Sequence, residues 1–212
     1  WWDEGYSVWF ATHPIGEMLT LTAQDIHPPL YYALLSGWSQ LFGAGPEALR
    51  LLSVIVGTLT IPAIFLAGRR LIGHRGASLS ALLLAINPMH VFYSQELRMY
   101  GLVTLLSSGV LASAWRIFAP HRAADESATA WRQYAPYVLL TTAALYTQYY
   151  AVFLPIGLTL YALWFWRRDW PSFGRWIGAH VAVAALYLPW VLYAAPKLLP
   201  YVAQKVVADA DR

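Results

Sequence analysis

The sequence has no cysteine and few charged residues. Of its 212 residues, 12% are Asp, Glu, Lys or Arg, about half the proportion found in an ordinary soluble domain. Without cysteine, there are no disulfides, thiolate metal sites or cysteine nucleophiles. Because a soluble domain of this length needs a charged surface, the shortage of charge excludes a soluble enzyme or a disordered linker. It indicates a surface that mostly faces lipid.

Common motifs of soluble catalysis are absent too. The chain contains no GxSxG, P-loop, GxGxxG or HExxH pattern, so hydrolase, nucleotide-binding and zinc-protease functions have no support. Apolar residues are abundant instead: 58% of the chain is hydrophobic, and it includes 11 Trp, 14 Tyr and 8 Phe.

Long apolar runs make up most of the chain. A helix that crosses the hydrocarbon core needs about 20 mostly apolar residues. On that measure we predict an all-α, polytopic transmembrane bundle. Residues 1–48 are an outer loop, residues 49–195 a six-span module and residues 196–212 the start of another outer segment. The six predicted spans are 49–68, 76–92, 100–118, 134–150, 151–166 and 176–193.

The charged residues give the predicted orientation. Eight of the fourteen Lys and Arg residues lie in the loops 69–75, 119–133 and 167–175, and a ninth, Arg116, lies just before the second of them. These loops are therefore predicted to be cytoplasmic. Eight of the eleven carboxylates lie on the opposite side. Since membrane loops account for the basic residues, we expect the bilayer as a partner and no nucleic acid. The opposite side is expected to be the outer one, which in a bacterial inner membrane is the side that faces the periplasm.

The ends of the chain resemble neither a signal peptide nor a natural terminus. The start, Trp1-Trp2-Asp3-Glu4, has no basic segment and no apolar core. We expect one more span before Trp1 and further chain after residue 212.

The outer segment, residues 1–48, contains a short amphipathic run. Residues 30–42 follow the double proline Pro28-Pro29 and are too short to cross a membrane. Their apolar side chains recur at helical spacing, which predicts a helix along the membrane surface. Residues 3–12 are expected to form a similar helix. The apolar face consists of Leu30, Leu34, Trp38 and Leu41.

Asp3 and Glu4 form an adjacent pair of carboxylates among aromatic residues. Loss of water there would raise a carboxylate pKa and make the group a better base. The alternative is an ordinary helix start, where acidic side chains favour the positive end of the helix dipole.

Residues 94–100, Ser-Gln-Glu-Leu-Arg-Met-Tyr, are a charged cluster between two apolar runs. On a helix Glu96 and Tyr100 would share a face, and Arg98 would not meet Glu96. Arg98 would then be available for a phosphate oxygen. The alternative is an arginine that anchors the chain to lipid headgroups.

His27 lies two residues after Asp25. Together with Asp3 and Glu4 these side chains suggest a cation site of oxygen and imidazole ligands. The alternative is a structural histidine that is held by a hydrogen bond.

In combination, these motifs resemble the GT-C membrane glycosyltransferases. The resemblance rests on the order of four segments across residues 3–118, and its closest branch is the bacterial relatives of protein mannosyltransferases and lipid A aminoarabinose transferases. The segments are Asp3-Glu4, His27-Pro-Pro-Leu-Tyr-Tyr32, the stretch from Ala48-Leu-Arg50 to Gly68-Arg-Arg70, and Ser94-Gln-Glu-Leu-Arg-Met-Tyr100.

The resemblance implies an inverting transfer of a sugar from a polyprenyl-phosphate donor to an acceptor glycan, lipid or protein. Asp3 matches the family's base or cation ligand, and Glu4 the following acid. The implied cofactor is at most a divalent cation, with Asp3 and Glu96 as its ligands. The residues implied at the donor and its phosphate are His27, Gln95, Glu96, Arg98 and Tyr100.

Two other functions stay open on the sequence. A transporter or flippase for a lipid-linked substrate would use Arg98 and Glu96 to line its path. Against it, the stretch between Arg50 and Arg69 is free of charge, and the chain has no inverted repeat. A non-catalytic membrane scaffold would leave the two charged clusters unexplained.

Overall fold

The computed structural model describes residues 2–119 and 132–210, with side chains up to residue 200. Every regular element in these ranges is a helix, which confirms the all-α prediction. Trp1, Arg122 and the rest of 120–131, and Asp211 lie outside the described residues, as does the side chain of Asp209.

The outer segment forms three short helices: α1 (Trp2–Thr12), α2 (Ile15–Ala23) and α3 (Leu30–Phe42). The bounds of α3 are those predicted, and α1 is close to prediction. Helix α2 was not predicted. On α3 the predicted apolar face is turned outward, with Leu34 and Leu41 exposed, while Tyr32 and Leu35 are buried on the other side.

Three helices are long and apolar enough to cross a membrane. These are α4 (Pro46–Leu71), α7 (Tyr100–Phe118) and, in α10 (Trp170–Ala210), the part Trp170–Pro200. They coincide with three of the predicted spans. Helix α10 does not end at residue 195, where we placed the end of the transmembrane module.

The other three predicted spans are shorter helices. The run 76–92 is divided at Asn87 into α5 (Gly73–Ala85) and α6 (Pro88–Tyr93). There, Pro88 has no N–H for the helix, and the Asn87 side chain accepts the His90 N–H over 3.0 Å. The next two runs form α8 (Ala135–Thr147), a 3₁₀ turn (Tyr149–Val152) and α9 (Phe153–Phe165). The count of six spans stays a prediction.

A buried aromatic and polar cluster joins α8, α9 and α10. The His180 Nδ1–H donates to the Trp176 carbonyl over 3.0 Å, so Nε2 accepts from the Tyr137 hydroxyl, also over 3.0 Å. Thr159 lies 3.2 Å from the same Nε2 and accepts the Trp176 indole N–H. Every polar group of this cluster thus has a partner, as a lipid-surrounded bundle requires.

A second apolar core lies at the outer end of the bundle. Phe10 of α1, Tyr32 and Leu35 of α3 and Leu97 and Met99 of the α6–α7 connection are almost completely buried against one another. This core packs the surface helices against the connection 94–99, from which the residues of the candidate site project.

Candidate active site

Glu4 lies at the centre of a group of hydrogen bonds that joins three segments. Its Oε2 accepts from Arg50 Nη2 over 2.7 Å, and its Oε1 accepts from Arg50 Nε over 3.2 Å. The backbone N–H of Leu97 also donates to Oε1, over 3.2 Å. We call Glu4, Arg50 and the Leu97 N–H the clamp. It connects α1, the start of α4 and the α6–α7 connection.

The clamp changes the expected chemistry of Glu4. The Arg50 hydrogen bonds lower the pKa of Glu4, burial opposes them, and the Leu97 N–H and the charge of Arg50 lower it further. The net result is a pKa below the ordinary value, so the expected rise is wrong for Glu4. The predicted loss of water does occur, since Glu4 is 7% exposed, but its hydrogen bonds outweigh it.

Asp3 points elsewhere, although it is adjacent in sequence. Its side chain is exposed in the first turn of α1. Its backbone carbonyl accepts from Arg98 Nη1 over 3.5 Å. A helix turns by about 100° per residue, which separates the two adjacent carboxylates. Asp3 is therefore accessible from solvent, whereas Glu4 is engaged by the clamp.

Arg98 is the buried cation of the site. It is 7% exposed, and its Nε has no hydrogen-bond partner among the described residues. Its guanidinium lies 5.7 Å from the centre of the Tyr100 ring. No carboxylate in the described part of the chain forms an ion pair with it. A buried guanidinium with an unused donor is suited to an anion that arrives from outside.

Glu96 is half-buried and lies near other acidic side chains. Burial raises its pKa, the charges of Glu4 and Asp3 raise it further, and Arg98 opposes them. Asp3 and Arg98 are thus near enough to affect the charge of Glu96. That Asp3, His27, Glu96 and Arg98 converge on one pocket stays a prediction.

Asp25 and His27 form a largely buried pair in the connection between α2 and α3. The His27 Nδ1–H donates to Asp25 Oδ2 over 2.8 Å, and the two side chains are 16% and 15% exposed. Burial raises the pKa of Asp25. The hydrogen bonds from His27 and the Ile26 N–H and the charges of His27 and Arg98 outweigh burial, so that this pKa is below its ordinary value.

A narrow cleft with about 10 Å³ of free space, enough for about one water molecule, lies beside Arg98 between α3, α4 and α7. Its wall includes Tyr31, whose pKa is raised by burial to about 12, although Ser53 and Arg98 oppose the rise. The remaining wall is mostly apolar, so the cleft offers one cation in a hydrocarbon-like surface. The apolar lining residues are Leu34, Leu52, Val56, Gly101 and Leu102.

The structure gives less support to the donor-binding roles predicted for Gln95 and Tyr100. Gln95 is exposed, and its side chain makes no hydrogen bond among the described residues. Tyr100 begins α7 and packs on Tyr93 with the ring centres 4.7 Å apart. Residues 94–99 are turns rather than helix, so the helical face predicted for Glu96 and Tyr100 does not exist.

The predicted cation site has no matching ligand group. Within residues 2–119 and 132–200, no three His, Asp or Glu side chains are close enough together to hold a metal ion. Asp3 and Glu96 share a neighbourhood, but Glu4 is occupied by Arg50. These residues do not fit a bound cation, and we derive no step through one.

Arg50 is the site residue that sequence reasoning missed. The sequence shows it only as the end of the Ala48-Leu-Arg50 segment, to which no role was assigned. The sequence signal that could have found it is a single arginine near the start of an apolar run, with the acids Asp3 and Glu4 on the same predicted side of the membrane. A charge at that depth needs a partner.

Comparison with known proteins shows similarity to a protein family and to a solved structure. The sequence model of the dolichyl-phosphate-mannose-protein mannosyltransferase family matches residues 26–193. No curated protein matches the chain in sequence. The crystal structure of ArnT from Cupriavidus metallidurans in the apo state matches with a TM-score of 0.62 and 20% sequence identity. The match covers 83% of this chain and 33% of ArnT. The chain therefore spans about a third of ArnT, whose fold it shares.

Proposed function

The chain belongs to the dolichyl-phosphate-mannose-protein mannosyltransferase family, and from this premise we propose that the protein is a membrane glycosyltransferase. It takes a sugar from a polyprenyl-phosphate donor and transfers it to an acceptor hydroxyl on the outer face of the membrane. The family match extends over more than three quarters of the chain. It includes His27, Arg50, Glu96 and Arg98, while Asp3 and Glu4 precede it.

The observation that carries the proposal is the environment of Arg98. Arg98 is 7% exposed, its Nε donor is unused among the described residues, and it lies in the connection that leads into α7. Leaving such a group without an anion costs free energy. The tetrahedral phosphate diester of a lipid-linked donor would supply two non-bridging oxygens for hydrogen bonds to it.

The cleft beside Arg98 supports a lipid-linked donor rather than a free sugar phosphate. The cleft is too narrow to enclose an isoprenoid unit, but Leu34, Leu52 and Val56 at its walls offer an apolar surface against which the isoprenoid units next to the phosphate would lie. The carrier chain would remain in contact with apolar surface while the sugar faces the exposed Asp3.

The reaction is a direct displacement at the anomeric carbon. The acceptor oxygen forms a bond to that carbon, and the bond from the carbon to the phosphate oxygen breaks. Asp3 takes the proton of the acceptor hydroxyl. Arg98 stabilises the charge on the departing lipid phosphate. A single displacement inverts the anomeric configuration.

A donor-consumption assay tests this proposal. The purified protein in lipid nanodiscs is supplied with a small panel of polyprenyl-phosphate sugars and candidate acceptors. We expect loss of one donor, release of polyprenyl phosphate and a product of inverted configuration by NMR. Glu17→Gln, an exposed acid of α2, is the matched control and should leave turnover unchanged. Movement of intact donor across the membrane without cleavage would instead support a flippase and reject the transferase.

A further inference from the structure

We infer that Arg50 is a positioning residue: through Glu4 it holds the α6–α7 connection against α1 and so sets Asp3 and Arg98 on one pocket. The catalytic role of that pocket rests on the proposed function, whereas the geometry of the clamp is independent of it.

The clamp brings together segments that are distant in sequence. Glu4 and Arg50 are 46 residues apart, and Glu4 and Leu97 are 93 residues apart. Three N–H donors from two segments reach the two oxygens of one carboxylate. The carboxylate is buried, whereas the Arg50 side chain is 48% exposed. Arg50 is therefore the accessible partner of the clamp, and Glu4 is the buried one.

Each residue assigned to the reaction is next to a clamp contact. Asp3 precedes Glu4, and Arg98 follows Leu97. Arg98 Nη1 also donates weakly to the Asp3 carbonyl, over 3.5 Å. A shift at Glu4 or Leu97 is therefore transmitted directly to the neighbouring functional residue. Since a misplacement of about 1 Å can cost about 100-fold in rate, the clamp controls catalysis without contact with the substrate.

Arg50 is suited to this task by its position on α4. Helix α4 packs along α7 and α5, and Pro46 lies in its first turn. The forked guanidinium binds both oxygens of Glu4, which restricts the rotation of the carboxylate. Lysine would keep the charge but would contact one oxygen at a time.

The alternative is an ion pair that only stabilises the fold. That role predicts less folded protein in Arg50 variants but normal turnover per folded molecule. It also predicts that the separation of α1 and the α6–α7 connection stays unchanged. The two roles therefore differ in geometry and in kinetics.

The first test measures that separation without using activity. This chain has no native cysteine, so Gly5→Cys on α1 and Gln95→Cys on the connection can carry two spin labels. Both positions are exposed, and Gly5 has open space around it. Electron–electron resonance should give a narrow distance distribution in the wild type and in the control Arg69→Gln, which lies at the other end of α4. Arg50→Gln and Glu4→Gln should broaden the distribution.

Removal of one partner leaves a buried carboxylate unpaired and can prevent folding. The double variant Arg50→Gln/Glu4→Gln removes both charges and provides the same measurement in that case. An unchanged distance distribution in the variants that fold overturns the inference, whatever their activity.

The second test measures kcat and donor KM per folded molecule. Arg50→Gln should lower kcat about 100-fold, and the double variant should be no worse, because both changes disrupt one clamp. Arg50→Lys should recover part of the rate. Normal kcat in Arg50→Gln overturns the positioning role but leaves the proposed function intact. If the variants broaden the distance distribution but the wild-type protein transfers sugar from none of the donors, the proposed function is rejected. The inference about the clamp still stands in that case.

Discussion

Gly57 of α4 lies directly against Ser94 of the α6–α7 connection. A Cβ on Gly57 would overlap both the Oγ and the Cβ of Ser94. Ser94 in turn donates to the His90 carbonyl over 2.6 Å, and His90 Nε2 lies 3.2 Å from the Gly57 carbonyl. The absence of a side chain at Gly57 thus allows the connection that carries Arg98 to approach α4.

We expect Gly57→Ala to destabilise the protein by about 1–3 kcal/mol, because Ser94 must move to admit the methyl group. Thermal or denaturant unfolding in a mild detergent measures the change. Gly37→Ala is the matched control in a helix with open space around the glycine, and it should be neutral or stabilising by up to about 1 kcal/mol. Equal losses in the two variants would refute the close approach as the cause.

The sequence predicted elements whose signals are local. Helix α3 has a double proline before it and apolar residues at helical spacing within it, and its bounds are those predicted. The predicted GT-C resemblance is confirmed by the family match and the shared fold. Both rest on patterns within short segments or on the order of such segments along the chain.

Features that depend on distant contacts escaped prediction. The lowered pKa of Glu4 comes mainly from Arg50, and no local pattern shows that pairing. The break at Asn87 is different, because the Asn87-Pro88 pair is a local signal of a helix start that the prediction overlooked within an apolar run. Residues 94–99 turn because the connection packs through Leu97 and Met99 into the outer core, a tertiary effect that overrides helical spacing.

The Asp25–His27 pair predicts acid sensitivity. A carboxylate whose folded pKa is lowered stabilises the fold above its unfolded pKa, and this stabilisation is lost as the pH falls through the folded pKa. We expect Asp25→Asn to cost about 1.5–3 kcal/mol at pH 7, because a hydrogen bond to a charged group is lost. The difference in unfolding free energy between the variant and the wild type should become smaller at pH values below 3.8, the ordinary pKa of Asp.

Unfolding free energies measured from pH 7 down to pH 3 test this expectation. Glu47→Gln, an exposed acid in the first turn of α4, is the control and should differ little from the wild type throughout. A constant difference between Asp25→Asn and the wild type over that range would show that the ionised carboxylate is not the source of the stability.

The predicted orientation can be checked with single cysteines. Arg75→Cys in the first turn of α5 and Arg168→Cys in the turn after α9 lie in segments that we expect to face the cytoplasm. Glu47→Cys lies on the side that we expect to be the outer one. A membrane-impermeant thiol reagent should label Glu47→Cys in right-side-out vesicles and the other two in inverted vesicles, because basic loops stay on the cytoplasmic side. The reverse pattern would place Asp3 and Arg98 on the cytoplasmic side and contradict the outer-face reaction.

The last prediction separates the roles of Asp3 and Arg98. Asp3→Asn keeps the size of the side chain but removes the proton acceptor, so turnover should fall by about 10²–10⁴ while donor binding survives. Arg98→Ala should weaken donor binding as well as turnover, since its contact with the phosphate exists before the reaction and strengthens during it. Donor titrations and initial rates on the same preparations distinguish the two outcomes.

Glu4 is the competing proton acceptor, and its variant needs a separate interpretation. Because Glu4 belongs to the clamp, Glu4→Gln should also reduce turnover, but through the position of Asp3 and Arg98. Full loss in Glu4→Gln with normal turnover in Asp3→Asn would transfer the base to Glu4. Normal turnover in the double variant Asp3→Asn/Glu4→Gln would reject both as bases, because no carboxylate would then remain in the first turn of α1.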